Sequence, residues 1–285
     1  MRAFQAAIAA LVGAIALAAF GRVWAAPPVL ATDWAPLHAG RVRLVAGPAA
    51  SSTGPSVLAG VEIELQDKWK TYWRMPGDSG IPPSFDWAKS GNVAAVQVRY
   101  PAPKRIPEPL GASIGYEHSV IFPVEITPRD PGKPVQLRLE LQFGICRDIC
   151  VPAEAKLELA LPAGRLAGPA PPQVAAALER VPRPQAARRA GDPEIKRIRV
   201  EGSGDGARLT VEARFPDSAA GADLFIEAPE GLYVPLPKKI GAGEGGIVRF
   251  QSHLTPDLAK DLKGKVLICT LVGAGGASEA RWTFR

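Results

Sequence analysis

The 285-residue sequence predicts an all-β chain folded as two β-sandwiches, joined by a linker rich in proline, alanine and arginine. Three observations carry that expectation. Short segments of apolar–polar alternation recur along the chain, and period two is the pattern of a half-buried strand. The 29 glycines and 29 prolines place turn signals between these segments. Helical periodicity is nearly absent between them, so the strands must pack sheet on sheet.

Residues 1–25 read as a secretory signal. Arg2 gives a positive start, "AFQAAIAALVGAIALAAF" an apolar core, and "VWA" before Ala26 a small-residue cleavage site near Ala25. The run is rich in alanine and ends in Gly21 and Arg22, unlike a membrane span. An exported chain with no span after cleavage is expected. Its formal charge of +6 falls to +4 once Arg2 and Arg22 leave.

The first strand-rich block covers 33–162. It contains "RVRLVAG", "VLAGVEIEL", "VAAVQVRY", "VIFPVEIT", "PVQLRLELQFGI" and "AEAKLELALP", each bounded by turn formers. The linker, 163–192, opens with "AGRLAGPAPPQ" and holds two helical turns, "VAAALERV", before Pro182. Its arginines, Arg180, Arg183, Arg188 and Arg189, lack the aromatic or motif support that nucleic-acid binding requires, so a solvated tether is expected. The second block, 193–285, carries "EIKRIRVEG", "ARLTVEARF", "DLFIEA", "GIVRFQSHL", "KVLICTLVG" and "ARWTFR". Thr255-Pro256 reads as the N-cap and first position of a short helix.

Two of the three cysteines, Cys146 and Cys150, lie in "FGICRDICVP". Export favours paired cysteines, which leaves Cys269 odd. Val135, Leu137, Leu139, Leu141, Phe143 and Ile145 form the apolar series of one strand; Val151, Ala153, Ala155, Leu157, Leu159 and Leu161 form that of the next. Both cysteines fall on the alternate, outward series at the end of a hairpin. Facing strands there bring Cα atoms to about 4.5–5.5 Å, within reach of a disulfide.

Three roles are open for the pair. As a structural staple, so short a loop stabilises by only about 2 kcal/mol. As an exchanging disulfide, an outward pair lets a thiolate reach one sulfur, with Arg147 lowering a thiol pKa and Asp148 offsetting it. As a metal clip for copper, the pair would need His118 and Met75, which do not cluster with it in sequence.

"KWKTYWRMPGDSGIPPSFDW" (Lys68 to Trp87), "RYPAPKRIPEPLGASIGYEHSVIFPVEI" (Arg99 to Ile126) and "FGICRDICVP" together resemble the N-terminal periplasmic domain of the DsbD family, especially its two-domain ScsB-like members. The second block resembles, through weaker motifs, the additional immunoglobulin-like domain of those members. The resemblance implies two immunoglobulin-like sandwiches and a redox-active pair, Cys146 and Cys150, with no cofactor beyond that disulfide. It implies a periplasmic protein that takes electrons from a membrane-embedded DsbD/CcdA-like thiol carrier or a thioredoxin-like domain. These would pass to oxidised, thioredoxin-fold periplasmic proteins.

The resemblance also implies a cap loop, Pro107 to Tyr116, with Glu108, Leu110, Gly111 and Tyr116 in it. Tyr72 and Trp73 would pack beside the pair. Two departures bear on the activity. The chain ends at Arg285 without membrane or thioredoxin-like domains, so the expectation is that a separate membrane protein supplies electrons. The spacing C-x3-C is that of ScsB-like proteins and shorter than in the DsbD domain. A binding or adaptor module with a permanent disulfide, and a copper-tolerance protein, stand as alternatives.

The remaining residues read more simply. Cys269, in an apolar strand, is expected to be a small buried hydrophobe, and Trp69, Trp73 and Trp87 core aromatics. His118 reads as a turn residue. "PGDSG" (Pro76 to Gly80) lacks the strand–nucleophile–helix setting of a hydrolase and reads as a turn. "GAGEGG" precedes a strand rather than a helix, so it is a hairpin loop and not a phosphate cradle.

Overall fold

The structure is a computed structural model that describes residues 30–49, 56–109, 111–163 and 170–285. The expected signal segment, Leu110 and residues 164–169 of the expected linker lie outside the described residues.

The first sandwich contains β1 (Leu30–Ala31), β2 (Ala35–Leu37), β3 (Gly40–Ala49), β4 (Ser56–Leu65), β5 (Lys70–Gly77) and β6 (Ser84–Asp86). It continues with β7 (Val93–Val98), β8 (Lys104–Glu108), β9 (Gly111–Glu117), β10 (Ser119–Pro128), β11 (Val135–Cys146) and β12 (Cys150–Leu161). One sheet runs β1-β3-β4-β10-β7 with β2 beside β3; the other runs β12-β11-β5-β9-β8 with β6 beside β11. The alternation read from the sequence sets their inner faces. Val135, Leu137, Leu139, Leu141, Phe143 and Ile145 of β11 are buried opposite Val57, Ala59, Val61 and Ile63 of β4 in one core. Trp69, Trp73 and Trp87 join that core.

The expected tether is packed instead. α1 (Pro172–Leu178) buries Val174 and Ala177, and Val174 clusters with Val45 and Leu58 on the outer face of the first sheet. Gly47 and Gly60 leave the space it fills: a Cβ on Gly60 would stand 2.7 Å from the Val174 side chain. Arg183 pairs with Glu179 and the buried Asp192, while Arg188 and Arg189, which stay exposed, pair with Glu194 of the next strand and with Glu179.

The second sandwich follows, with β13 (Arg183–Pro184), β14 (Glu194–Glu201), β15 (Arg208–Arg214), β16 (Asp223–Glu227), β17 (Lys238–Ala242) and β18 (Ile247–His253). After α2 (Pro256–Leu262) come β19 (Val266–Gly273) and β20 (Gly276–Thr283). Its sheets run β13-β20-β19-β16 and β14-β15-β18-β17. Thr255 caps α2, accepting a hydrogen bond from Leu258 N at 3.3 Å. Cys269 is buried in this core, where burial, then Glu227 and Glu279, push its thiol up to about 12. The chain thus has the all-β, immunoglobulin-like architecture expected of it.

β16 joins the two sandwiches. Leu224 and Ile226 face the second core, while Phe225 is buried in the first, its ring centroid 5.8 Å from that of Trp73. On the same face, Asp223 takes two hydrogen bonds from Arg105, at 2.9 and 2.6 Å. Glu227 takes two from Arg74, at 2.8 and 2.7 Å, and Arg74 also reaches Glu279. Bidentate arginine–carboxylate pairs fix orientation as well as distance.

Val174→Ala should lower the unfolding free energy by about 1–3 kcal/mol, the range for a buried truncation of this size. A urea midpoint equal to that of the wild type would show that α1 is not a structural part of the sandwich.

Candidate functional site

The ladder between β11 and β12 runs without a bulge from Val135↔Leu161 to Cys146↔Cys150, and the two cysteines close it as a disulfide. Their Cα atoms are 4.2 Å apart, slightly closer than expected from strand pairing alone. The unbroken register keeps both on the outer face, as the alternation predicts. Their exposure differs, however. Cys150 is exposed with the rest of the tip, whereas Cys146 is 1% exposed. The expectation that both sulfurs face outward into solvent is corrected for Cys146.

The reason is a second layer over this end of the sheet. β11 pairs with β5 only at Ile145↔Thr71 and Cys146↔Lys70, which sets Lys70 and Tyr72 on the same outer face as Cys146. Glycine makes that layer possible. The Tyr72 ring lies between Gly80 and Gly144, where added Cβ atoms would stand 2.2 and 3.2 Å from it. The chain at Ile81 then folds back, its carbonyl oxygen accepting a hydrogen bond from Gly144 N at 3.0 Å. Tyr72 is consequently 1% exposed on a face that would otherwise be wet.

A polar chain runs through this dry layer to the disulfide. The Tyr72 hydroxyl lies 3.3 Å from Cys150 Sγ. A disulfide sulfur carries no proton, so the phenol donates. Ser113, on β9, donates to Glu108 Oε1 at 2.6 Å, and Lys70 Nζ lies 2.5 Å from the same oxygen. Burial pushes the Tyr72 phenol up, the Ser113 hydrogen bond offsets part of that, and the Glu108 charge adds to it. Burial alone would raise the Glu108 carboxyl. Hydrogen bonds from Lys70 and Ser113, with the Lys70 charge, outweigh it and hold the carboxyl below its ordinary value.

The expected cap loop is a hairpin, β8–β9, closing at Glu108↔Gly111. Gly111 has φ +141°, and a Cβ there would stand 2.3 Å from Asp78 Oδ2. Glu108 reaches the polar chain. Tyr116 does not: it lies in the core and donates to Pro101 O at 2.7 Å. Trp73 also faces the core, away from Tyr72. His118 occupies the exposed β9–β10 turn at φ 63°. Among the described residues, no three His, Cys, Asp or Glu side chains gather in a group that could hold a metal.

Lys70, Ser113 and Asp78 belong to the site, and sequence reasoning passed over them. Asp78 sat within "PGDSG", whose glycines were the available signal of a close approach. Around the sulfurs the surface is apolar and cationic: Ile149 is 68% exposed, Ile81 41%, and Arg147 stacks on Trp69 at 5.6 Å. Arg147 also pairs with Asp148, at 2.8 Å.

Two outcomes are expected. In a Cys146→Ser background, Tyr72→Phe should raise the Cys150 thiol pKa by about one to two units, the value of a hydrogen bond to a charged acceptor. Ultraviolet thiolate absorbance against pH reads this, and an unchanged pKa would show that the phenol does not serve the thiolate. The depressed Glu108 carboxyl stabilises the fold above its ordinary value of 4.5, and that contribution is lost as pH falls through the lower folded value. Thermal midpoints should therefore decline less steeply for Glu108→Gln than for wild type between about pH 6 and about pH 3. Equal slopes would remove Glu108 from this account.

The family model for "Thiol:disulfide interchange protein DsbD, N-terminal" matches residues 41–162. The crystal structure of the N-terminal periplasmic domain of ScsB from Proteus mirabilis superposes with a TM-score of 0.69 at 24% identity, covering 90% of this chain and 99% of that one. That likeness shows a shared fold across both sandwiches. No curated protein matches the chain significantly. Among the described residues, no helix is long and apolar enough to cross a membrane. Residues 41–162 of the first sandwich, with the disulfide that closes the β11–β12 hairpin, belong to the DsbD N-terminal domain family of thiol–disulfide interchange proteins.

Proposed function

We propose that this is a periplasmic thiol–disulfide exchange protein whose Cys146–Cys150 pair relays electrons from a membrane-embedded, DsbD/CcdA-like thiol carrier or a thioredoxin-like domain to oxidised, thioredoxin-fold proteins. Its working unit is the first domain, 33–162, with a linker over 163–192 and a second immunoglobulin-like domain over 193–285. The observation that carries the reading is the asymmetry of the disulfide: one exposed sulfur-bearing residue, one buried, and a phenol aimed at the exposed one. A purely structural bond has no use for that arrangement.

The asymmetry orders the steps. A thiolate of the reduced donor attacks Cys150 Sγ, breaks the bond to Cys146 and leaves Cys146 as thiolate. The donor's second thiol then attacks its own sulfur in the mixed disulfide and releases Cys150 as thiolate. Two electrons have passed to this chain and the donor holds a disulfide; the reverse sequence reduces the acceptor. Tyr72 stabilises the Cys150 thiolate in the second step. Ile149 and Ile81 form the apolar rim against which a partner's own active site would dock.

The reduction potential of the pair tests this. Equilibration in glutathione buffers with thiol trapping should place it at roughly −120 to −270 mV, the range of exchanging dithiols. A value below about −300 mV would mark a permanent bond and leave an adaptor module in place of a relay. Cys146→Ser with Cys150→Ser should fold normally and lose all transfer to a thioredoxin-fold acceptor.

A further inference from the structure

The second sandwich holds the β8–β9 hairpin directly on β8 and, through Asp78 of the loop after β5, on β9. On β9, Ala112 exchanges two bonds with Asp78: Asp78 N donates to Ala112 O at 3.1 Å, and Ala112 N donates to Asp78 Oδ2 at 2.8 Å. The other carboxylate oxygen of Asp78 accepts a hydrogen bond from the Tyr233 hydroxyl at 2.7 Å. Tyr233 belongs to the second sandwich and is 42% exposed, a large side chain left at the surface yet aimed at one carboxylate. On β8, Arg105 lies across the Phe225 ring at 5.6 Å and bonds Asp223 twice. It also donates to Pro237 O at 3.1 Å.

These contacts converge on one element. β8 ends at Glu108, which anchors Lys70 and Ser113; Lys70 stands directly across from Cys146, and the next outward residue on β5 is Tyr72. The hairpin therefore touches both the layer over the disulfide and the second sandwich, and its other neighbour, β5, does so too, through Lys70 and Tyr72 on one side and Arg74 on the other. Its own pairing to β5 is broken between Tyr72 and Gly77. A hairpin with an interrupted ladder depends on contacts from outside to stay closed.

We propose that the second sandwich is a clasp on the β8–β9 hairpin, with Tyr233 and Asp223 as positioning residues that set how readily the Cys146–Cys150 disulfide meets an incoming thiol. The clasp rests on the exchange reading of the pair. It gives the second sandwich a role in that reading: a partner that displaces Tyr233 or Asp223 releases the hairpin and opens the site.

The test is the rate of reduction of the full chain's disulfide by dithiothreitol, which requires no protein partner. Tyr233→Phe keeps the ring and removes only the hydroxyl; Asp223→Asn weakens the arginine pair. Each should accelerate reduction roughly threefold to tenfold, as expected for loss of one hydrogen bond holding a closed state. Thr255→Ala, which removes the α2 cap and touches neither strand of the hairpin, serves as the control for general destabilisation and should leave the rate unchanged. Rates within twofold of wild type in both variants would overturn the clasp, as would an equal acceleration in Thr255→Ala. Failure of the relay reads differently. It would show as a strongly reducing potential and no transfer to a thioredoxin-fold acceptor, whatever the dithiothreitol rates.

Discussion

A β-sheet has two faces, and a sandwich dries only one of them. The site depends on a departure from that rule: over one end of the β12-β11-β5-β9-β8 sheet the outer face is dry as well. Tyr72 makes it so, lying in a slot that exists because Gly80 and Gly144 have no side chains. Cys146 is sealed beneath this layer while Cys150 emerges at its edge. The phenol stranded in the layer needs a hydrogen-bond partner, as buried polar groups do, and the Cys150 sulfur is one. Burial, asymmetry and hydrogen bond all follow from the placement of one aromatic ring between two glycines.

The same drying explains the electrostatics. Lys70 and Glu108 would be an ordinary surface pair, worth little, on a wet face. Here both are largely covered, and Ser113 shares the carboxylate with the lysine. Such a network confines the hairpin to one position, because moving it would leave a covered charge without a partner. What the network fixes at the tip of β8, the second sandwich fixes at its base through Arg105. The two anchors act on one strand, which is why the sheet edge farthest from the disulfide can still influence it.

β16 shows how a single strand can serve two cores. It is only five residues long, yet its alternation sends Leu224 and Ile226 one way and Asp223, Phe225 and Glu227 the other. The second sandwich thereby presents two carboxylates, bracketing an aromatic ring, to two arginines of the first. Arg74 and Arg105 give up most of their water to reach them, and Glu227 and Glu279 keep the Arg74 charge firmly in place despite that burial. The orientation of the sandwiches is set by these forks rather than by apolar area alone.

The amino-acid sequence by itself determined the strands whose two faces differ. β7, β11, β12 and most of the second sandwich alternate because one face is wet, as do β3, β4 and β10 outside the stretch that α1 covers. The same pattern determined the pairing of Cys146 with Cys150, the outward series to which they belong, and the buried place of Cys269. It was silent where both faces are dry. β5 and β9 show no clean alternation, since their outer residues are covered almost as well as their inner ones, and they carry Lys70, Tyr72 and Ser113; β8, which carries Glu108, has no buried residue and so no apolar face to read. The linker misled in part for a related reason: Arg188 and Arg189 are exposed as read, but Arg183 meets the buried Asp192 and Val174 meets Val45 and Leu58 only once the chain is folded. Local periodicity records whether a residue meets water. Which groups meet each other, and so which sulfur is reachable and which strand is held, is decided by contacts between distant segments that only the tertiary structure brings together.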